Sequence, residues 1–351
     1  MIKRQLKAAL TRILTVCLLI AVNHGVSAEG MPAGDTTAIN HNNAKDSLYV
    51  GDSEFTYAGQ KRYTLLGHNP LRNSDIKLLP TIALGGVVTT LFILQHIAQM
   101  NTIWSETSDF KIMEDGMYGL NADKGGHVFG AYYTSYFWSE AFYTIGMDYE
   151  LSTVLGGVMG MGYLTYVEVL DGFGKDWGFS PSDFYADILG TVLYLGQHYV
   201  PYLQNFTPKF TYIPAPWHGN KHRIPSKIFI DDYSSHTLWL SINVNNILPD
   251  NLEKYWPDWL ELSVGYAARD LCQGCPPGYA ALHKIDGGEV YGNREYIISL
   301  DYNLVKLLPD GCNLWNWFKQ SLNYLKFPAP ALVFGDKAPR FQLLYPFKIC
   351  L

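Results

Sequence analysis

The sequence predicts an α+β fold: a membrane-associated bundle of about four apolar helices, then a small antiparallel β-sheet. Long apolar runs poor in charge fill residues 76–205. Beyond Thr237 the apolar residues change to a period of two, as in strands with one covered face. Between Asp123 and Asp187 the ionisable residues gather at the ends of the apolar runs, which packs them on one side of an up-down-up bundle.

The 351 residues are ample for a large core, and they contain 15% aromatic but only 17% charged residues. Ordinary soluble domains carry about 25% charged residues, so the balance suits a membrane or membrane-surface protein. A net charge of −6 gives no electrostatic reason for a nucleic-acid partner.

Residues 1–28 read as a signal peptide: Lys3, Arg4, Lys7 and Arg12 precede a short apolar core at Ile13–Val22, and Val26-Ser27-Ala28 offers a cleavage site. Cys17 follows Val16 inside that core, which makes a poor lipid acceptor site. Export implies an oxidising compartment, where Cys272, Cys275, Cys312 and Cys350 have three possible pairings. Cys272-Gln-Gly-Cys275 has redox or zinc spacing, yet it falls in a Gly/Pro-rich loop rather than at a helix start, which favours a structural disulfide or idle thiols. The expected location is the cell envelope, membrane-associated and facing the periplasm.

Residues 29–75 are polar and without period, and read as a flexible mature N-terminus. Leu78–Leu94 carries no charge and is long enough to enter or cross a bilayer. Gly125–Met147, Leu151–Val169 and Phe184–Leu203 complete the set of apolar runs, and Gly156, Gly157, Gly160 and Gly162 permit close helix approach. Residues 206–351 read as a Pro-rich linker, centred on 208–226, followed by the β region. Strands are expected at Thr237–Val244, Trp259–Tyr266 and Tyr296–Val305, with shorter ones at Ala331–Phe334 and Phe341–Phe347. Five strands are too few for a membrane barrel, so the sheet is expected to dock on the bundle and face water, leaving an edge for a protein partner.

Asp123 and His127 stand four apart and share a helix face, suited to metal ligation or to a carboxylate-oriented base. The bland alternative makes Asp123 a cap and His127 a boundary residue. Glu168 and Asp171 end a helix where the dipole disfavours negative charge, so Lys124, Lys175, His127 or a bound cation must compensate. Ser180-Pro181-Ser182-Asp183 has the form of a capping box, which explains Asp183; Asp187 lies a turn deeper and needs a partner. Tyr132, Ser135 and His198 are weaker candidates for the same network. The candidate catalytic or metal-binding residues are therefore Asp123, His127, Glu168 and Asp171, and the binding residues Lys124, Asp183 and Asp187, with a divalent metal as the conceivable cofactor.

Asp123-Lys124-x-x-His127, then Glu168-x-x-Asp171-Gly172, then Gly178-Phe179-Ser180-x-x-Asp183 with Asp187 and Gly190, resembles the YfiM-like family of bacterial envelope proteins, domain of unknown function 2279. Asp232–Ser241, Trp259-Leu260, Val264-Gly265-Tyr266 and Phe327–Ala331 resemble its longer members. The resemblance implies an exported or membrane-associated envelope protein and no reaction. A distant similarity to VanZ-like membrane proteins is an analogy only. The leading expectation is a structural or binding role for the polar cluster, with membrane lipid as partner. The alternative is a metal-dependent or acid–base enzyme acting on an envelope lipid or lipid-linked glycan.

Overall fold

The computed structural model describes residues 48–347 apart from 226–227, 286–287 and 337. The expected signal peptide, its Cys17 and the C-terminal Cys350 lie outside the described residues.

Helices α1 (Leu78–Met100), α2 (Ala122–Thr144), α3 (Tyr149–Asp171) and α4 (Pro181–Tyr199) match the four apolar runs. Asp148 starts α3 by accepting the Leu151 N–H at 2.9 Å, and Ser180 with Pro181 starts α4, so both helix starts follow from local sequence. Small residues set the spacing between helices. A Cβ on Gly160 of α3 would stand 2.8 Å from the Ser135 backbone nitrogen of α2, and one on Gly190 of α4 would stand 2.2 Å from the Val128 carbonyl oxygen.

A membrane bundle of about four helices is not what the structure supports. Among the described residues two helices, α1 and α3, are long and apolar enough to cross a membrane. None of the apolar window of α1 is buried, whereas 39% of that of α3 is, which marks α3 as a core helix of the bundle. Polar residues within α2 and α4, such as Glu140 and Asp187, interrupt those runs because they are used inside the protein.

Of the flexible N-terminal segment expected at residues 29–75, residues 29–47 lie outside the described residues, and residues 48–75 are packed on the bundle instead. Phe55 is buried and meets Tyr143 and Tyr149 edge-on, with ring centroids 6.1 and 5.5 Å away. A small hairpin, β1 (Thr56–Tyr57) and β2 (Gln60–Lys61), follows it. Arg62 then reaches Glu140 of α2 at 2.9 Å, and Glu140 also accepts from the Trp317 indole at 3.0 Å. Trp317 belongs to α5 (Asn313–Leu322). Polar composition concealed this segment because its anchors are one aromatic and one arginine.

The remaining strands are β3 (Phe206–Tyr212), β4 (His236–Ile242), β5 (Leu260–Cys272), β6 (Leu282–Ile285), β7 (Gly288–Tyr302), β8 (Ala329–Gly335) and β9 (Arg340–Tyr345). They form a seven-stranded sheet in the order β3-β4-β5-β7-β8-β9 with β6 on β7, every pairing antiparallel. Part of the expected Pro-rich linker is therefore strand β3. Phe210 exchanges backbone hydrogen bonds of 3.0 Å with Tyr324 and Lys326 on the side away from β4. Pro208, two residues earlier, turns its missing N–H the same way, so no ladder bond to β4 is lost. The same two bonds bring the chain just ahead of β8 beside β3, curling the sheet towards closure.

The concave face of the sheet combines a small apolar cluster, Trp239, Ala267, Ile297, Ala331, Val333 and Tyr345, with buried charge. Lys209 lies 2.9 Å from Glu261 and 3.1 Å from Asp301, and Ser241, Ser263 and Asn303 satisfy the remaining carboxylate oxygens. The convex face is apolar, and α2 covers one part of it, where Phe129 stacks on Phe210 at 5.3 Å. Cys272 and Cys275 form a disulfide at the end of β5, and Cys312 is an exposed free thiol.

Arg62→Met leaves Glu140 buried with its charge uncompensated, and such losses cost about 3–5 kcal/mol. Thermal unfolding monitored by circular dichroism is expected to show a clear fall in Tm for Arg62→Met and a smaller one for the Arg62→Met/Glu140→Gln double variant.

Candidate functional site

The chain enters α2 through a left-handed turn, with φ of 56°, 54° and 70° at Gly119, Leu120 and Asn121. Two of these are not glycine, a conformation that surrounding packing must hold. Leu120 is fully buried against Ala268 and Leu271 of the sheet and supplies that hold. The turn presents the first coil of α2, with Asp123, Lys124 and His127, to the end of α3 and the start of α4.

His127 is the centre of the cluster. Its Nδ1 meets Asp187 Oδ1 at 3.0 Å, while its Nε2 faces Asp123 Oδ1 at 3.7 Å and Glu168 Oε1 at 3.6 Å. Lys124 pairs with Asp183 at 2.8 Å, lies 3.6 Å from Asp123, and contacts Asp115. Tyr233 donates to Asp123 at 2.5 Å. Glu168 accepts the Ser180 N–H at 2.9 Å, and Asp171 accepts the Trp104 indole N–H at 2.5 Å. Loop donors from outside α3 thus offset the unfavourable helix-end position of these two carboxylates.

All seven expected binding and site residues come together here. Lys175 does not join them, because it pairs with Glu106 at the surface. Tyr132 and Ser135 are buried elsewhere, bonded to Gln197 and to the Ala131 carbonyl, and His198 pairs with Glu150. Sequence reading missed Trp104, Asp115, Tyr118 and Arg223, which line the cavity beside the cluster, the Arg223 guanidinium lying 4.6 Å from the Tyr118 ring centre; they come from an acidic connection and a Pro-containing loop with no periodic signal. Tyr233 had a signal, since it lies within the Asp232–Ser241 stretch that carries part of the family resemblance.

Six carboxylates, Asp115, Asp123, Glu168, Asp171, Asp183 and Asp187, surround two cationic side chains, Lys124 and His127. Burial works against charge on His127, but Asp187, Asp123 and Asp183 push its imidazole up to about 10. Burial pushes Glu168 up to about 8 against the pull of His127, and Asp171 up to about 7 against its bond to Trp104. Asp115, Asp183 and Asp187 are raised as well, chiefly by burial. The cluster holds more negative sites than its own cations neutralise, so protons or a bound cation must supply the difference.

A cavity of about 540 Å³ opens beside the cluster, lined by Asp123, His127, Glu168, Asp171 and Asp183 with Trp104 and Arg223 across from them. Gln99, 4% exposed, lines it with an Oε1 that has no hydrogen-bond partner among the described residues. A narrower apolar cavity of about 240 Å³ shares Gln99, Asp123, His127, Val167, Ile230 and Tyr233 with the first and is otherwise walled by Phe129, Leu164 and Phe210. Ligand atoms of Asp123, His127 and Asp183 lie within 4.8 Å of one another.

Fold and site together define an α+β protein with a carboxylate–histidine cavity at one end of a helical bundle. Residues 112–196 match the family described as "Predicted periplasmic lipoprotein (DUF2279)", so the resemblance expected from the sequence holds over the segment that contains all seven expected site residues. That description supports an exported, envelope location. No curated protein and no solved structure matches the chain.

Lys124→Met removes the only lysine contacting Asp115 and Asp183 among the described residues, and is expected to destabilise the protein by about 3–5 kcal/mol near neutral pH. Acidification protonates the orphaned carboxylates, so the stability gap to wild type should narrow as pH falls. Urea unfolding at a series of pH values measures it; a gap independent of pH would show that the lysine acts through packing alone.

Proposed function

We propose that this is a membrane-associated periplasmic envelope protein whose bundle end binds one divalent cation and, beside it, a polar ligand. A single observation supports the reading best. His127 is held through Nδ1 by Asp187 while Nε2 faces Asp123 and Glu168 beyond hydrogen-bonding distance, and ligand atoms of Asp123, His127 and Asp183 lie within 4.8 Å of one another. A carboxylate that orients the far nitrogen of a ligating histidine is the usual outer support of a metal centre. One imidazole with two or three carboxylates suits ions such as Zn²⁺ or Mn²⁺. A purely internal brace would have no use for the adjoining cavity.

An acid–base enzyme on an envelope lipid or lipid-linked glycan is the second reading. Glu168, pushed up to about 8 beside the cavity, has the protonation state of a general acid near neutral pH.

The purified mature protein, incubated with Zn²⁺ or Mn²⁺ and desalted, is expected to retain one ion per chain by plasma mass spectrometry. His127→Ala and Glu168→Gln should each lose it. Ligands must shed protons to bind metal, so retention should weaken progressively as pH falls and protons compete for His127, pushed up to about 10, and Glu168, pushed up to about 8. No retained ion in wild type, with variants that only melt earlier, would reduce the cluster to a brace.

A further inference from the structure

The convex face of the sheet carries a pattern that the cation site does not explain. Registered neighbours across the strands form apolar rows: Leu240, Val264, Ile298, Leu332 and Phe341 make one, and Leu238, Tyr266, Tyr296 and Phe334 the next. Leu262 pairs with Leu300, and Leu260 with Tyr302, on the same side. Away from the part covered by α2, these side chains are open: Val264 is 42% exposed, Ile298 44%, Leu332 47% and Phe341 60%. No charged side chain interrupts the rows. Lys209, Glu261, Arg269, Glu295 and Asp301 all point to the concave side and are buried.

The concave face already has a core of its own, the apolar cluster of Trp239, Ala267, Ile297, Ala331, Val333 and Tyr345 beside the buried charges, so the rows on the opposite face are a second apolar surface. Strands that keep their charges inside and present an unbroken apolar face outward are the arrangement that meets lipid. The boundaries of the band agree. On β7 it runs from Tyr296 to Tyr302, six steps of ~3.4 Å or about 20 Å, close to the ~25 Å apolar band of lipid-facing strands. Tyr266 pairs with Tyr296 at one margin, and Trp259 stacks on Tyr302 at the other, ring centroids 6.4 Å apart. Beyond the first margin stand Arg294 and Asp336, and beyond the second the exposed pair Asp258 and Lys306. Charge, aromatic, aliphatic, aromatic, charge is the profile of a bilayer read along its normal.

We propose that this convex face, from β5 to β9, lies against the acyl chains of a bilayer. A protein partner would need a local patch with charges spread through its rim, and not two parallel aromatic margins spanning several strands. The unburied apolar helix α1 points to the same solvent by a separate route. The inference replaces the expectation that the sheet faces water, and it does not depend on the cation site.

Full-length mature protein carrying Cys312→Ser and Cys350→Ser, reconstituted in phosphatidylethanolamine/phosphatidylglycerol vesicles, tests it. Single cysteines at Ile298, Leu332 and Phe341, with Lys254→Cys as the control, would carry the fluorophore NBD. The first three labels should lose most of their emission to lipids bearing a doxyl group on the acyl chain and little to iodide, and the control should do the opposite. Quenching of the three by iodide at the level of the control would overturn the proposal. So would resistance to both quenchers, which would mean a second protein surface covers the face, or failure of the unlabelled protein to float with the vesicles.

Discussion

Everything at the bundle end follows from the burial of one imidazole among carboxylates. Held there uncharged, His127 can donate to one carboxylate only; held charged, it requires several acids to be stripped of water beside it. The fold meets the cost from three directions: Lys124 from the same helix, backbone and indole donors from the flanking loops, and Tyr233 from the far side. The remaining excess of negative charge is what protons or the proposed cation would balance.

That electrostatic arrangement depends on close packing below it. The glycines of α3 and α4 let the helices approach α2 to backbone contact, so the ends of all three arrive within reach of short aspartate side chains. Larger residues would spread the ends and convert ion pairs into water-separated neighbours. The sheet contributes in turn, because Leu271 and Ala268 seat the left-handed turn that aims α2.

Much of this was legible in the sequence. Polar residues confined to the ends of apolar runs located the cluster, since a folded bundle has few other ways to satisfy them. Period-two alternation located most strands, but alternation is symmetric and says nothing about which face is covered: Thr237-Leu238-Trp239-Leu240-Ser241 reads equally well either way. The buried lysine at 209 decides it, and its carboxylate partners lie 52 and 92 residues downstream, at Glu261 and Asp301. Strand β3 was hidden by Pro208, whose meaning depends on which edge it faces. Tyr118 and Arg223 were hidden because loops carry no period at all.

The Arg62–Glu140–Trp317 contact ties together three stretches of chain that are made at very different times. Glu140 meets its indole partner 177 residues later. A chain emerging N-terminus first has its helices available long before α5 exists to complete that site. Contacts this distant in sequence raise the contact order, which slows folding as a whole. The helical half is therefore complete only when a residue far towards the C-terminus joins it, so the two halves of the chain share this buried site.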